Sequence, residues 1–223
     1  VEVVLATGRS FSTTTPVARD AGIDGYVVCS NGAILGGVAR DKIIEAVTFD
    51  AGPVIERLNE LVPGAVFAVE DVHGVFYTTH MFSTGPLGLR IEEVSFEDLA
   101  NEPVVRLVMR SNRHTEEAFG EAAAQLGFHQ VVYGVADVAW MDVGPHDVTK
   151  ASMLQQVCSR KGMRADRVIA IGDNWNDVPM LEWAGLGVAM GQAVPEIQSK
   201  ADLITLDEPG DGVAIVLEAI ALG

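Results

Sequence analysis

The sequence predicts an α/β core with parallel strands, interrupted in its middle by an α+β insert. Three features carry this. Short apolar runs alternate with helix patterns over residues 1–36 and again from residue 142, the order that packs helices against a parallel sheet. Most of those runs end in turns built from Gly, Asn, Asp, Ser or Thr, which punctuate strands. In the middle, adjacent strand runs are joined by hairpin-length turns, as in an antiparallel sheet with helices on one face.

Each element follows in order. Val1 to Ala6, VEVVLA, reads as a strand buried on both faces. A helix capped by Ser10 or Ser12 runs to Gly22, the residue just past its C-cap. Tyr26 to Cys29 is a second strand, breaking at Asn31-Gly32, and strand, helix, strand makes the pair parallel. The insert, residues 37–141, holds a helix at Val54 to Leu61 and a hairpin of AVFAVE and VFYTT turning at Asp71 to Gly74. A strand VVRLVMR, a helix from Glu116 to Leu126, and strands HQVVYG and VAWMDV complete it. Beyond it come a helix from Thr149 to Lys161 stopped by Gly162, the strand VIAIG, and a short helix from Asp177 to Trp183. Strands LGVAM and ADLIT and a helix from Gly212 to Leu222 close the chain. Residues 1–36 and 142–223 are thereby assigned to a core domain and 37–141 to an inserted one.

Composition narrows the function. Of 223 residues, 48% are hydrophobic and 21% charged, a globular balance without disordered bias. The net charge of −16 repels nucleic acid and anionic membranes. No apolar run reaches the roughly 18 residues of a membrane span, and the opening VEVVLATGRS has no basic n-region of a signal peptide. Two cysteines, Cys29 and Cys158, without CxxC spacing, make neither a disulfide framework nor a zinc site, and point to a reducing cytoplasm.

The residues with chemical meaning sit where strands end. In GDNWNDVPML, Asp173 closes a strand and Asp177 lies in the first turn of a helix four residues on, so both carboxylates can converge on a hard cation such as Mg²⁺, which takes few carboxylates and several waters; Asn176 is the expected N-cap. ATGRS offers the Thr7 hydroxyl and backbone N–H groups at Gly8 to an anion, with the positive end of a helix behind them. SNGA, with Asn31 and Gly32, is an Asn-Gly turn at a carboxyl strand end, where open α/β sheets bind ligands. Lys150 opens a helix, where its charge opposes the dipole, so a role in holding phosphate or pairing with an acid explains it better than helix stability. Each signal has a bland reading as an ordinary turn or cap; their shared place on one sheet edge is far more specific. The five histidines lack metal spacing, Gly185, Gly187 and Gly191 read as shaping a turn, and Cys29 reads as a buried thiol without a base.

ATGR followed by SNGA, a lysine opening a helix, and GDNWNDVPML before a strand ending in AMGQA resemble the haloacid dehalogenase superfamily, and within it the Cof-type phosphatases with a large α/β cap. The resemblance covers both core segments; the insert matches in size and element type only. It implies a Rossmann-like doubly wound parallel sheet with an inserted cap, and Mg²⁺-dependent hydrolysis of a small phosphorylated metabolite, of sugar-phosphate type, through an aspartyl-phosphate. By similarity Thr7 binds the phosphoryl group, Asn31 and Gly32 line the phosphate pocket, and Lys150 neutralises phosphate and nucleophile. Asp173 holds Mg²⁺, while Asn176 and Asp177 complete the metal and lysine network; Arg9 shares the matching string without an assigned role.

One departure is plain. The family's nucleophile and general acid form an Asp-x-Asp string followed by Gly-Thr, and none of these 223 residues spell it. The chain begins at Val1 inside a strand pattern, so the expectation is that the nucleophile strand lies upstream. The alternatives are a phosphomutase or phosphotransferase on the same scaffold, or a catalytically dead relative that binds phosphate or a partner. Oligomeric state has no signature in the sequence.

Overall fold

The computed structural model describes residues 1–81, 90–99, 101–126, 129–135, 138–207 and 211–222. Its contacts divide the chain into two compact units, Val4–Val148 and a second made of Val1–Val3 with Thr149–Gly223.

The larger unit opens with β1 (Leu5–Ala6), α1 (Phe11–Asp20) and β2 (Tyr26–Cys29), and β1 and β2 are parallel as the strand-helix-strand order requires. α1 ends at Ala21, and Gly22 takes the left-handed conformation, φ 72°, that a residue after a helix C-cap adopts. The first strand is shorter than VEVVLA suggests. Only Leu5 and Ala6 pair, against β2, and Val1 and Val3 remain exposed because nothing among the described residues continues the ladder there. Two strands of this first sheet escape the sequence reading. β3 (Ile34–Gly37) and β4 (Lys42–Ala46) extend the sheet antiparallel, in the order β1-β2-β3-β4; their Gly-rich and Lys-flanked residues carry little alternation.

The same unit continues with α2 (Gly52–Leu61), β5 (Val66–Glu70), β6 (Val75–Thr78), β7 (Arg90–Glu93), β8 (Arg106–Ser111), α3 (Glu116–Ala123), β9 (His129–Val135) and β10 (Val138–Gly144). These strands form a sheet in the order β7-β6-β5-β8-β10-β9. It is antiparallel, as hairpin connections dictate, except that β7 lies parallel to β6. The alternation of side chains sets its two faces. Phe67, Val69, Leu107, Met109, Met141 and Val143 pack against Val54, Ile55 and Leu58 of α2 and Phe119, Ala122 and Ala123 of α3, each large side chain contributing about 1.5–3 kcal/mol when fully buried. The opposite face carries Ala68, Phe76, Val108 and Trp140 together with Glu70, Arg106 and Asp142.

The smaller unit holds α4 (Lys150–Lys161), β11 (Ile169–Gly172), α5 (Val178–Trp183), β12 (Leu186–Ala189), α6 (Pro195–Gln198), β13 (Leu203–Ile204) and α7 (Asp211–Leu222). β11, β12 and β13 are parallel neighbours in that order, so strand-helix alternation again yields a parallel sheet. Thr149 and Ser152 form a reciprocal capping box that fixes where α4 starts, and Gly162, φ 63°, stops it. Gly187 lies inside β12 rather than in a turn: a Cβ there would stand 2.3 Å from the Leu181 carbonyl oxygen, and Gly185 and Gly191 give similar room to the backbones of Asp166 and Leu206. No helix among the described residues is long and apolar enough to cross a membrane.

Candidate active site

In the smaller unit the GDNWND string forms the loop after β11, at its carboxyl end. Its organiser is Asp177. Buried to 5% exposure, it accepts backbone N–H bonds from Asp173 and Asn174, both at 3.0 Å, on Oδ2 and the Lys150 ammonium at 2.6 Å on Oδ1. Lys150 is equally buried; the capping box places it in the first turn of α4, from which its ammonium reaches Asp177. Such a buried pair is costly to form and still more costly to break.

The glycine before Asp173 now has a reason. A Cβ on Gly172 would stand 2.5 Å from the Asp177 Cβ, so any side chain there pushes Asp177 off its three donors. Gly172→Ala is expected to destabilise the protein by about 1–3 kcal/mol, a fall in Tm of several degrees by roughly 2–4 °C per kcal/mol. Thermal unfolding checks it, and an unchanged Tm would mean the loop tolerates displacement.

Asp173 and Asp177 were expected as twin metal ligands, and the structure gives them different surroundings. Asp173 is exposed and accepts one bond, from Gln192 Nε2 at 3.1 Å; Asp177 is committed to Lys150 and the loop. Asn174 caps the turn from Trp175 to Asp177 in a reciprocal arrangement with Asp177, so Asn176 is not the N-cap. Among the described residues no three His, Cys, Asp or Glu side chains gather as a metal cage. Mg²⁺ does not ask for one: it keeps several waters and takes one or two carboxylates, and the exposed carboxylate of Asp173 fits that demand.

In the larger unit the two turns expected to hold phosphate are tied to each other. Thr7 N–H bonds the Val28 carbonyl, Ser30 N–H the Arg9 carbonyl and Asn31 N–H the Thr7 carbonyl. The Thr7 hydroxyl accepts from Arg9 N–H at 3.1 Å, so the N–H groups of Thr7 and Arg9 are spent within the fold rather than open to an anion. Ser10 occupies the cap position of α1 but bonds the hydroxyls of Ser12 and Thr13 instead of a backbone N–H. Ser30, Asn31 and Gly32 form a 3₁₀ turn, not a two-residue hairpin turn, with φ of 48°, 57° and 109°. Left-handed backbone at Ser30 and Asn31 costs on the order of 1 kcal/mol or more each and persists only where surrounding contacts dictate it.

Those contacts come from residues that motif reasoning missed. Arg106 donates from Nε at 2.8 Å to Glu70 Oε2, with Nη2 at 2.7 Å, and from Nη1 to Asp142 Oδ2 at 3.1 Å and the Gly8 carbonyl at 2.6 Å. Glu70 accepts the Ser30 hydroxyl at 2.9 Å, and Asp142 accepts Asn31 Nδ2 at 3.2 Å and Trp140 Nε1 at 3.1 Å. Burial pushes the Glu70 carboxyl above its ordinary range, opposed by the Arg106 charge. A signal was present: Glu70 ends the apolar run VFAVE, while Arg106 in VVRLVMR and Asp142 in VAWMDV stand within mainly apolar strand runs.

Cys29, beside the Ser30 turn, is fully buried, and burial pushes its thiol up to about 12; burial raises Cys158 as well. Neither is a nucleophile, because the thiolate is the reactive form. In native protein at pH 8 both thiols should react with Ellman's reagent at under about 1% of the rate seen after denaturation. Fast labelling of Cys29 would contradict its placement.

Comparison with known proteins identifies the family and the fold. A family model described as haloacid dehalogenase-like hydrolase matches residues 1–217. The stress response protein YhaX of Bacillus subtilis is 46% identical over 78 residues, 35% of this chain and 27% of that protein. A phosphoglycolate phosphatase of Methanopyrus kandleri is 29% identical over 221 residues, 99% of this chain and 82% of that protein. Among solved structures, the subclass IIB sugar phosphatase BT4131 superposes with a TM-score of 0.81 at 22% identity, over 100% of this chain and 86% of that one, a likeness of fold. With its Rossmann-like α/β fold and a family match over nearly its whole length, the chain belongs to the haloacid dehalogenase-like hydrolases.

Proposed function

We propose that the protein is a cytoplasmic, Mg²⁺-dependent phosphatase that hydrolyses a small phosphorylated metabolite of sugar-phosphate type, with residues 37–141 as the cap domain that selects the leaving group. The observation that carries the reading is the buried Lys150–Asp177 pair, bonded to the loop that bears the exposed carboxylate of Asp173 at a carboxyl strand end. Asp173 is the residue to hold Mg²⁺, which when bound offsets charge on a phosphoryl group. Asp177 holds Lys150 in place and keeps the metal loop folded over it; Asn176 belongs to that loop. Lys150 stabilises negative charge as it moves from nucleophile to phosphate. Thr7, Gly8, Asn31 and Gly32 bind the phosphoryl oxygens.

The nucleophile is taken to be the first Asp of the family's Asp-x-Asp motif, which these 223 residues do not contain. Its carboxylate oxygen bonds to phosphorus as the ester oxygen leaves with a proton from the motif's second Asp; that Asp then takes a proton from the water that cleaves the acyl phosphate, releasing inorganic phosphate and restoring the carboxylate. The test is phosphate release by protein bearing that segment, against a panel of hexose phosphates, phosphoglycolate and pyridoxal phosphate, with Mg²⁺ or EDTA. Mg²⁺-dependent release of phosphate is expected. Transfer to an acceptor without free phosphate would replace the reading by a phosphotransferase, and no turnover of any ester by a phosphate-binding form would make the protein a dead relative.

A further inference from the structure

We propose that Arg106 is a positioning residue whose bridge between Glu70 and Asp142 clamps the two phosphate-side turns, Thr7–Arg9 and Ser30–Gly32, into their binding shape. The inference rests on the phosphate-binding role proposed for those turns. Arg106 comes from β8, Glu70 from β5 and Asp142 from β10, so the clamp is built on three strands of the six-stranded sheet, on the face opposite its helices. All three side chains are at most 10% exposed. That face supplies no backbone donors, since those are spent on strand pairing, so the buried charges must satisfy one another and whatever polar groups reach them.

Besides the Trp140 indole on Asp142, three groups of the turns reach them. One guanidinium nitrogen holds the Gly8 carbonyl, Glu70 holds the Ser30 hydroxyl, and Asp142 holds the Asn31 amide. Each turn is therefore fixed by a carbonyl or side chain on the clamp as well as by its bonds to the other turn. The strained φ at Ser30 and Asn31 needs such fixing. The Arg106 guanidinium also lies over the Phe76 ring, 5.2 Å from its centroid, so its plane is set from one side by an aromatic and along its edge by two acids. A lysine cannot replace this fork: a single ammonium cannot span Glu70, Asp142 and Gly8 together.

The test measures inorganic phosphate binding by calorimetry and native-state hydrogen exchange at the Ser30 and Asn31 amides. Arg106→Lys and the paired variant Arg106→Met with Glu70→Gln, which leaves one fewer stranded charge, are compared with Val143→Ala on the helix-covered face of the same sheet. The clamp variants are expected to weaken phosphate about tenfold or more and to speed exchange at both amides about tenfold or more, with exchange at Met109 within about threefold. Val143→Ala is expected to lower Tm while leaving phosphate affinity and both amides within about twofold. A merely structural role would make Val143→Ala behave like the clamp variants, and that result, or clamp variants whose turn amides exchange at the wild-type rate, would overturn the proposal. If the wild-type chain binds no phosphate, the proposed function fails by itself, and the exchange rates still decide whether Arg106 holds the turns.

Discussion

Lys150→Ala should lower kcat by about a hundredfold or more in protein bearing the Asp-x-Asp segment, the scale seen when one group stabilising transition-state charge is lost. It should also cost about 3–5 kcal/mol of stability, because it strands the buried carboxylate of Asp177. The two effects can be separated. In Lys150→Ala with Asp177→Asn no charge is stranded, so much of the stability should return, whereas kcat should stay low because the ammonium is still missing. Steady-state kinetics and thermal unfolding of the pair of variants provide the check. A kcat change under about threefold in the single variant would reduce Lys150 to a structural partner of Asp177.

Asp173→Asn should abolish the stabilisation that Mg²⁺ confers. At a hundredfold excess over Kd a ligand that binds only the folded state adds about 2.7 kcal/mol, a rise in Tm of roughly 5–10 °C for a chain of this size. Because Asp173 is exposed and makes one side-chain bond, to Gln192, its removal should leave the Tm without metal nearly unchanged. An equal Mg²⁺ response in wild type and variant would sink the assignment. Asp177→Asn is the contrasting case: it should lower Tm without metal, since Asp177 anchors two loop amides and Lys150.

Much of the fold was legible because its signals are local. Turn residues and apolar runs located β2, α4, β11 and α7 to within a residue or two, and strand-helix-strand order alone made β1–β2 and β11–β12 parallel. The burial of VEVVLA was not, since a strand is covered only where neighbours exist to pair with it, and Val1 is 98% exposed. β3, β4 and β7 were missed for the complementary reason: partner strands hold them in place, and their own residues, such as RIEE in β7, alternate weakly.

The candidate site divides in the same way. By itself the sequence determined which candidate residues stand at strand ends and helix starts, Thr7, Asn31, Lys150, Asp173 and Asp177, because a motif's spacing and the turn it occupies are properties of neighbouring residues. Only the tertiary structure decided what each of them faces. The pairing of Lys150 with Asp177 spans 27 positions, that of Asn31 with Asp142 spans 111, and that of Arg106 with the Gly8 carbonyl spans 98. Contacts at such separations arise when sheets and helices pack and buried charges are forced to find partners, and no local pattern encodes which partner that will be.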